Sequence, residues 1–185
     1  MEKDYGISYK HAEIAILLAS LFHDLGMSIH RKGHEGFSLI LANALLHDVL
    51  SFLPVREKTI VTSETLHAII GHSNEGSVQP YTLEAGIVRI ADALDMTSGR
   101  SRVPFEKDNL TIHSLAETAI DKVAILEGSK KLVQIDISLN NSAGIFAVDE
   151  LLRNKIKGSG LEEYVAVRAF IDREDEKKLI DEFTI

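Results

Sequence analysis

Apolar residues recur at helical spacing through roughly the first hundred positions, then give way to alternation. A first helix is expected over Lys10–Leu25, with Ser8 as N-cap and Gly26 as its stop. Ile14, Leu17, Leu18, Leu21 and Leu25 form one apolar stripe on it, and Ala12, Ile16 and Ala19 lie opposite, which predicts burial nearly all round. A second helix is expected over His34–Phe52, ending before Pro54, and a third over Arg56–Ile70, ending near Gly71. The fourth takes Thr82 as its cap and runs to about Gly99, with Leu83, Ile87, Ile90 and Leu94 in a narrow arc.

Farther along, the pattern predicts strands over Val123–Leu126 and Leu132–Leu139 around a turn at Glu127–Lys131; in the second, Val133, Ile135, Ile137 and Leu139 alternate with polar residues. Asn140–Gly144 reads as a loop, Val148–Lys157 as a helix, Tyr164–Ile171 as a strand, and the acidic Asp172–Phe183 as a short surface helix. The expected fold class is therefore mostly α, a helical domain over 1–108 followed by a small α+β subdomain over 109–185.

Composition narrows the function. With 185 residues, 45% of them hydrophobic, the chain can bury a core. A formal charge of -8 opposes attachment to long nucleic acid or to an anionic membrane. The absence of Cys excludes disulfides and thiolate ligands. The longest apolar run, Ile14–Phe22, is far short of a membrane span, and no export signal is evident, so a cytoplasmic protein is the default expectation.

The chemistry lies in histidines and carboxylates. His23 and Asp24 close the first helix in Leu21-Phe22-His23-Asp24-Leu25-Gly26, where an imidazole and a carboxylate can converge on one ion. His23 projects above the small Ala19, away from the apolar stripe. Asp92 likewise points away from the stripe of the fourth helix, and an ionised Asp there needs a cation or hydrogen-bond donors; a structural pairing with Arg89 is the alternative. His34 starts the second helix and His72 follows the third. His72 is favoured over His67 as a ligand, because the two are five positions apart and poorly aligned on one helix. His47-Asp48, with no Gly after it, reads as a surface pair.

The segments Leu21–Gly26, His34-Glu35, Ile69–His72 and the helix carrying Asp92 resemble the HD superfamily of metal-dependent phosphohydrolases. More closely, Tyr5–Ile171 is similar to an archaeal group with an HD-type helical domain and an α+β tail, most specifically over Leu21–Met27, Leu83–Arg102 and Asn140–Gly160. The resemblance implies His23 and Asp24 as paired metal ligands, Asp92 as the distal carboxylate, and His34 and His72 as further histidines for a second ion or the substrate phosphate. It implies Arg89, Arg100 and Arg102 as phosphate contacts or as organisers of the site, with Arg31 and Lys32 as a basic rim.

The family also opens its metal motif with a His on an earlier helix. This chain is expected to start after that helix, through a late start, with a partner chain or water in that position, or with hydrolysis lost and the fold kept. His11 cannot stand in, since twelve helical residues place it about 18 Å from His23.

The resemblance thus implies a hydrolase acting on a phosphomonoester or nucleotide-like substrate, with a divalent cofactor (Mn, Mg, Zn, Fe, Co or Ni). Asp24 would orient water, and His34 or His72 would hold an ion or protonate the leaving oxygen. The alternative is an inactive ligand-binding protein or a partner subunit. Dimers or other homo-oligomers are expected, with strand edges near Val133 or Val167 open to pairing with another chain.

Overall fold

The computed structural model describes residues 1–73, 78–96, 119–171 and 182–184. They divide into two compact units, Met1–Asp92 with Gly158–Gly160, and Ala93–Lys157 with Leu161–Ile185. The first is helical and the second carries a sheet, so the fold is mostly α with a small α+β part. The boundary expected at residue 108 lies outside the described residues.

In the helical unit, α1 (Glu2–Tyr5) precedes α2 (Tyr9–Phe22), α3 (His34–Val49), α4 (Val55–Gly71) and α5 (Leu83–Leu94). Ser8 caps α2 as expected, its hydroxyl accepting from the Lys10 backbone N–H. The helix ends earlier than its apolar pattern suggested, and Leu25–Ser28 forms a separate 3-10 turn. Nor is α2 buried all round: Ala15, Leu18 and Ala19 enter the core while Leu17 and Leu21 are exposed. The small Ala15 and Ala19 let neighbouring helices approach closely, and of the stripe Leu18 joins them in the core with Ile14 and Leu25 packed against it. Ala42, Leu46 and Leu50 from α3 and its end, Val61, Ala68 and Ile69 from α4, and Ala85 and Val88 from α5 complete this core.

One glycine fixes the start of α3 against the end of α2. A Cβ on Gly26 would lie 2.1 Å from the His34 carbonyl oxygen and 2.6 Å from the Ser38 backbone nitrogen. Only glycine permits that approach. Ser38, fully buried, stitches the same junction: its hydroxyl donates to the His23 carbonyl (2.6 Å) and accepts from the Gly26 N–H (2.8 Å).

The second unit holds a four-stranded sheet in the order β1 (Ile120–Glu127), β2 (Val133–Leu139), β3 (Val165–Ile171), β4 (Glu182–Thr184). β2 pairs antiparallel with β1 and parallel with β3, and β4 runs antiparallel to β3. A parallel β2–β3 pair needs a crossover. It is supplied by a helical stretch of α6 (Gly144–Ala147), a π-helical segment (Val148–Arg153) and α7 (Asn154–Ile156). Ile135, Ile137 and Leu139 share one buried side with Val165, Val167, Ala169 and Ile171. On the other side Asp136 receives two hydrogen bonds from the Arg168 guanidinium.

Two expectations are corrected here. Val133 and Val167 sit on interior strands: Val133 pairs with Glu127 on β1 and Val165 on β3, Val167 pairs with Ile135 on β2 while β4 pairs with the next three residues of β3, and the outer strands are β1 and β4. The tail expected as a helix contains strand β4 at Glu182–Thr184, recruited by the free side of β3, while residues 172–181 lie outside the described part.

Candidate metal centre

Helix ends deliver the site. His23 is the C-cap of α2 and His72 the C-cap of α4, while His34 is the first residue of α3 and Asp92 lies in the last turn of α5. Asp24 follows His23 in the turn that Gly26 and Ser38 clamp onto α3.

All three imidazoles are oriented alike. His23 Nδ1 lies 2.9 Å from the Ser20 carbonyl, His34 Nδ1 lies 3.0 Å from that of Arg31, and His72 Nδ1 lies 2.6 Å from that of Ile69. A carbonyl oxygen can only accept, so each Nδ1 carries the proton. The neutral ring then presents the Nε2 lone pair, and all three Nε2 atoms face carboxylates: His23 lies 3.6 Å from Asp24 Oδ2 and 3.7 Å from Asp92 Oδ1, while His34 and His72 lie 3.2 and 3.8 Å from Asp24 Oδ1.

The donor set fits a cation. His34 and His72 bring their Nε2 atoms within 3.3 Å of each other, where two lone pairs repel unless a positive charge lies between them. Two imidazole nitrogens on one tetrahedral ion stand ~3.3 Å apart, given metal–nitrogen bonds of about 2.0–2.1 Å. With Asp24 Oδ1 they form a triangle of sides 3.3, 3.2 and 3.8 Å, and the point equidistant from all three is ~2.0 Å from each, a bonding distance. The other oxygen of Asp24 faces His23, so one carboxylate addresses two groups of donors. Donor atoms of His23, Asp24 and His72 all fall within 4.8 Å of one another.

The same carboxylates draw positive charge to the Nε2 end of His23, a proton where no cation sits. Burial lowers the His23 pKa, but the hydrogen bond to Asp92, the charges of Asp24 and Asp92 and the Ser20 carbonyl outweigh it and hold it above the ordinary imidazole value. Behind the cluster stands Glu35, buried, with Oε2 3.7 Å from His34 Nδ1. Burial raises its pKa, yet the Ser73 hydroxyl, its own backbone N–H and the two neighbouring imidazoles bring it below the usual carboxylate range.

The structure thus brings His23, Asp24, His34, His72 and Asp92 together and leaves other expected residues elsewhere. Arg89 is buried with Nη1 on the carbonyls of Gly71 (3.1 Å) and Ser73 (3.4 Å). Arg31 and Lys32 are exposed just ahead of His34, and Arg100 and Arg102 lie outside the described residues. His67 accepts a hydrogen bond from the Tyr81 N–H (2.9 Å), stacks on that ring and lines a separate apolar groove with Leu39, Ile40, Leu66 and Ile70. His47 and Asp48 are both exposed. Glu35 enters the sequence reading only within the His34-Glu35 segment, and Ser38 and Ser73 not at all; an acidic residue in a first helical turn is too common a signal to assign Glu35 a role.

Comparison with known proteins gives a consistent outcome. Residues 2–97 match the family described as HD domain. An uncharacterized protein of Methanocaldococcus jannaschii, MJ1020, is 41% identical over 184 residues, covering 99% of this chain and 70% of the relative. No solved structure matches. Among the described residues no helix is long and apolar enough to cross a membrane.

Proposed function

We propose that His23, Asp24, His34, His72 and Asp92 hold a divalent metal ion with which this chain hydrolyses a phosphoester of a small phosphorylated molecule; the premise is that the chain belongs to the HD domain family, a superfamily of metal-dependent phosphohydrolases. The observation that carries the reading is the shared orientation of three imidazoles, each with Nδ1 against a backbone carbonyl and Nε2 toward a carboxylate.

When bound, the ion supplies Lewis-acid polarisation of a phosphoryl oxygen and acidification of water. Its identity follows only broadly from mixed nitrogen and oxygen donors, which suit Mn, Fe, Co, Ni or Zn and, from the carboxylate side, Mg. Positioning falls to the chain's own groups. Asp24, with its side chain 41% exposed, is the most open of the cluster and accepts a hydrogen bond from the attacking water, orienting it. His34, with Nδ1 tied to the Arg31 carbonyl and Nε2 facing the ion position, is committed as a ligand, so the leaving oxygen takes its proton from solvent. Arg31 and Lys32 border the site and attract the phosphate dianion. Arg100 and Arg102 remain candidates for the same role, and a nucleotide-like substrate suits a compact cationic rim better than a long polyanion does.

The test is phosphate release from a panel of phosphomonoesters and nucleotides, with Mn(II), Co(II), Ni(II), Zn(II) or Mg(II), alongside metal analysis. Asp24→Ala should lose bound metal and lower turnover by about 100-fold or more. Turnover unaffected by Asp24→Ala and by chelation would overturn the reading. Nucleotide affinity in metal-free protein without turnover would favour a binding protein instead.

A further inference from the structure

Two buried charged side chains lie close to His72. Arg89, 3% exposed, sends Nη1 to the carbonyls of Gly71 and Ser73, the residues on either side of His72. Glu35, 4% exposed, has Oε2 3.7 Å from His34 Nδ1, and against the burial that raises its pKa the Ser73 hydroxyl lowers it. Arg89 stands three positions before Asp92 on α5, and Glu35 follows His34 at the start of α3. Glu35, Ser73 and Arg89 therefore connect the three elements that carry His34, His72 and Asp92.

We propose that Glu35, Ser73 and Arg89 are positioning residues that set His72 against His34 and Asp92, so that metal affinity depends on them although none is a ligand. This rests on reading the cluster as a metal centre. Burying an Arg and a Glu is costly, and apolar side chains of similar volume serve a core at least as well. What apolar groups cannot do is grip both carbonyls flanking one residue, which fixes the direction of the His72 side chain. Coordination distances tolerate only about ±0.2 Å, so a small rotation of the Gly71–Ser73 segment would separate the His34 and His72 nitrogens beyond a shared ion. The Glu35 carboxylate also places negative charge behind His34, making that imidazole a better donor.

The proposal is tested with Ser73→Ala, Ser73→Thr, Glu35→Gln and Arg89→Lys in the full chain, each stripped of metal and titrated with Co(II). Visible absorption reports the geometry of the bound ion, and thermal unfolding of the metal-free protein reports folding. Ser73→Ala should unfold near the parent temperature yet bind Co(II) about 10–100-fold more weakly, with altered visible bands. Ser73→Thr keeps the hydroxyl and should restore most of the affinity. Arg89→Lys, whose ammonium sits on a shorter side chain than the Nη1 that reaches both carbonyls, should fall between. Should a Glu35 or Arg89 variant fail to fold without metal, the two Ser73 variants carry the decision. If the parent binds Co(II) and Ser73→Ala and Glu35→Gln match it in affinity and spectrum, the positioning role is wrong and the metal centre stands. If the parent takes up no Co(II), the metal centre itself is wrong and the positioning role falls with it.

Discussion

Replacing Gly26 by Ala is the sharpest test of how the site is assembled. The added Cβ would lie 2.1 Å from the His34 carbonyl oxygen, 2.6 Å from the Ser38 nitrogen and 2.8 Å from the Phe37 Cβ. Two of these belong to the backbone, so no side-chain rotation relieves them. Ordinary contact requires the first turn of α3 to retreat by roughly 1.3 Å, in an interior packed too densely to absorb it. That turn carries His34, and the movement exceeds several-fold the ~0.2 Å within which coordination distances hold. It also parts the Ser38 hydroxyl from the Gly26 N–H and the His23 carbonyl. Overpacking of this kind costs about 1–3 kcal/mol and weakened hydrogen bonds add about 1 kcal/mol, a total of about 2–4 kcal/mol. For a chain of this size the unfolding midpoint should fall by about 4–16 °C. Circular dichroism melts measure the first effect and Co(II) titration the second. Gly36→Ala is the control, since nothing lies within 4 Å of its Cβ position and alanine favours the interior of α3, raising stability by about 0.5–1 kcal/mol. A Gly26→Ala protein that melts at or above the parent midpoint and binds Co(II) normally would refute the reasoning.

Further outcomes follow from the same geometry. His72→Ala should abolish metal uptake, whereas His67→Ala, whose ring is engaged by Tyr81, should leave metal content by emission spectroscopy unchanged; the reverse result would reassign the ligand. Adding Mn(II) or Co(II) at about 100 times its Kd should raise stability by about 2.7 kcal/mol in denaturant melts and chelator should reverse it, so an unmoved curve would argue against a folded-state site. Arg168 holds the Asp136 carboxyl below its usual range, against burial and with help from Gln134. Because the folded value is the lower one, the stabilisation is complete above the unfolded value of ~3.9 and disappears as pH falls through the folded value. Asp136→Asn should therefore be less stable than the parent near neutral pH, with the gap closing in acid; a gap independent of pH would show that the ion pair contributes nothing.

Much of the helical unit was legible because helix boundaries and polar exceptions are local signals. Ser8 caps α2, Pro54 precedes α4, and an aspartate set against small neighbours at position 92 stands out in an apolar helix. Burial of α2 nearly all round does not hold: periodicity weighs Leu17 and Leu21 as heavily as Leu18, but of the three only Leu18 is buried, beside Ala15 and Ala19, whose small size lets helices approach. The convergence of His34 with His72 was suggested by family likeness and could not come from spacing, since it depends on how α3 meets the end of α4. The roles of Glu35, Ser38 and Ser73 are invisible in the sequence for the same reason. Each is an ordinary surface residue type made significant by a partner 12 to 38 positions away. The π-helical stretch at Val148–Arg153 and the pairing of β4 with β3 leave no periodic trace that single residues could reveal.

The carbonyls that hold the imidazoles of His23 and His72 belong to the last turns of α2 and α4, where backbone acceptors have no amide of their own helix to bind. A histidine placed there closes its own helix and, by the same hydrogen bond, selects its own tautomer. The centre therefore does not wait for folding at a distance to decide which nitrogen is free; that choice is made within three residues of chain. Tertiary packing has only to bring pre-set ligands together. A substitute such as Gln at position 72 would have to replace a helix terminator as well as a donor atom, and it would lose the coupling between the two even where it supplied each.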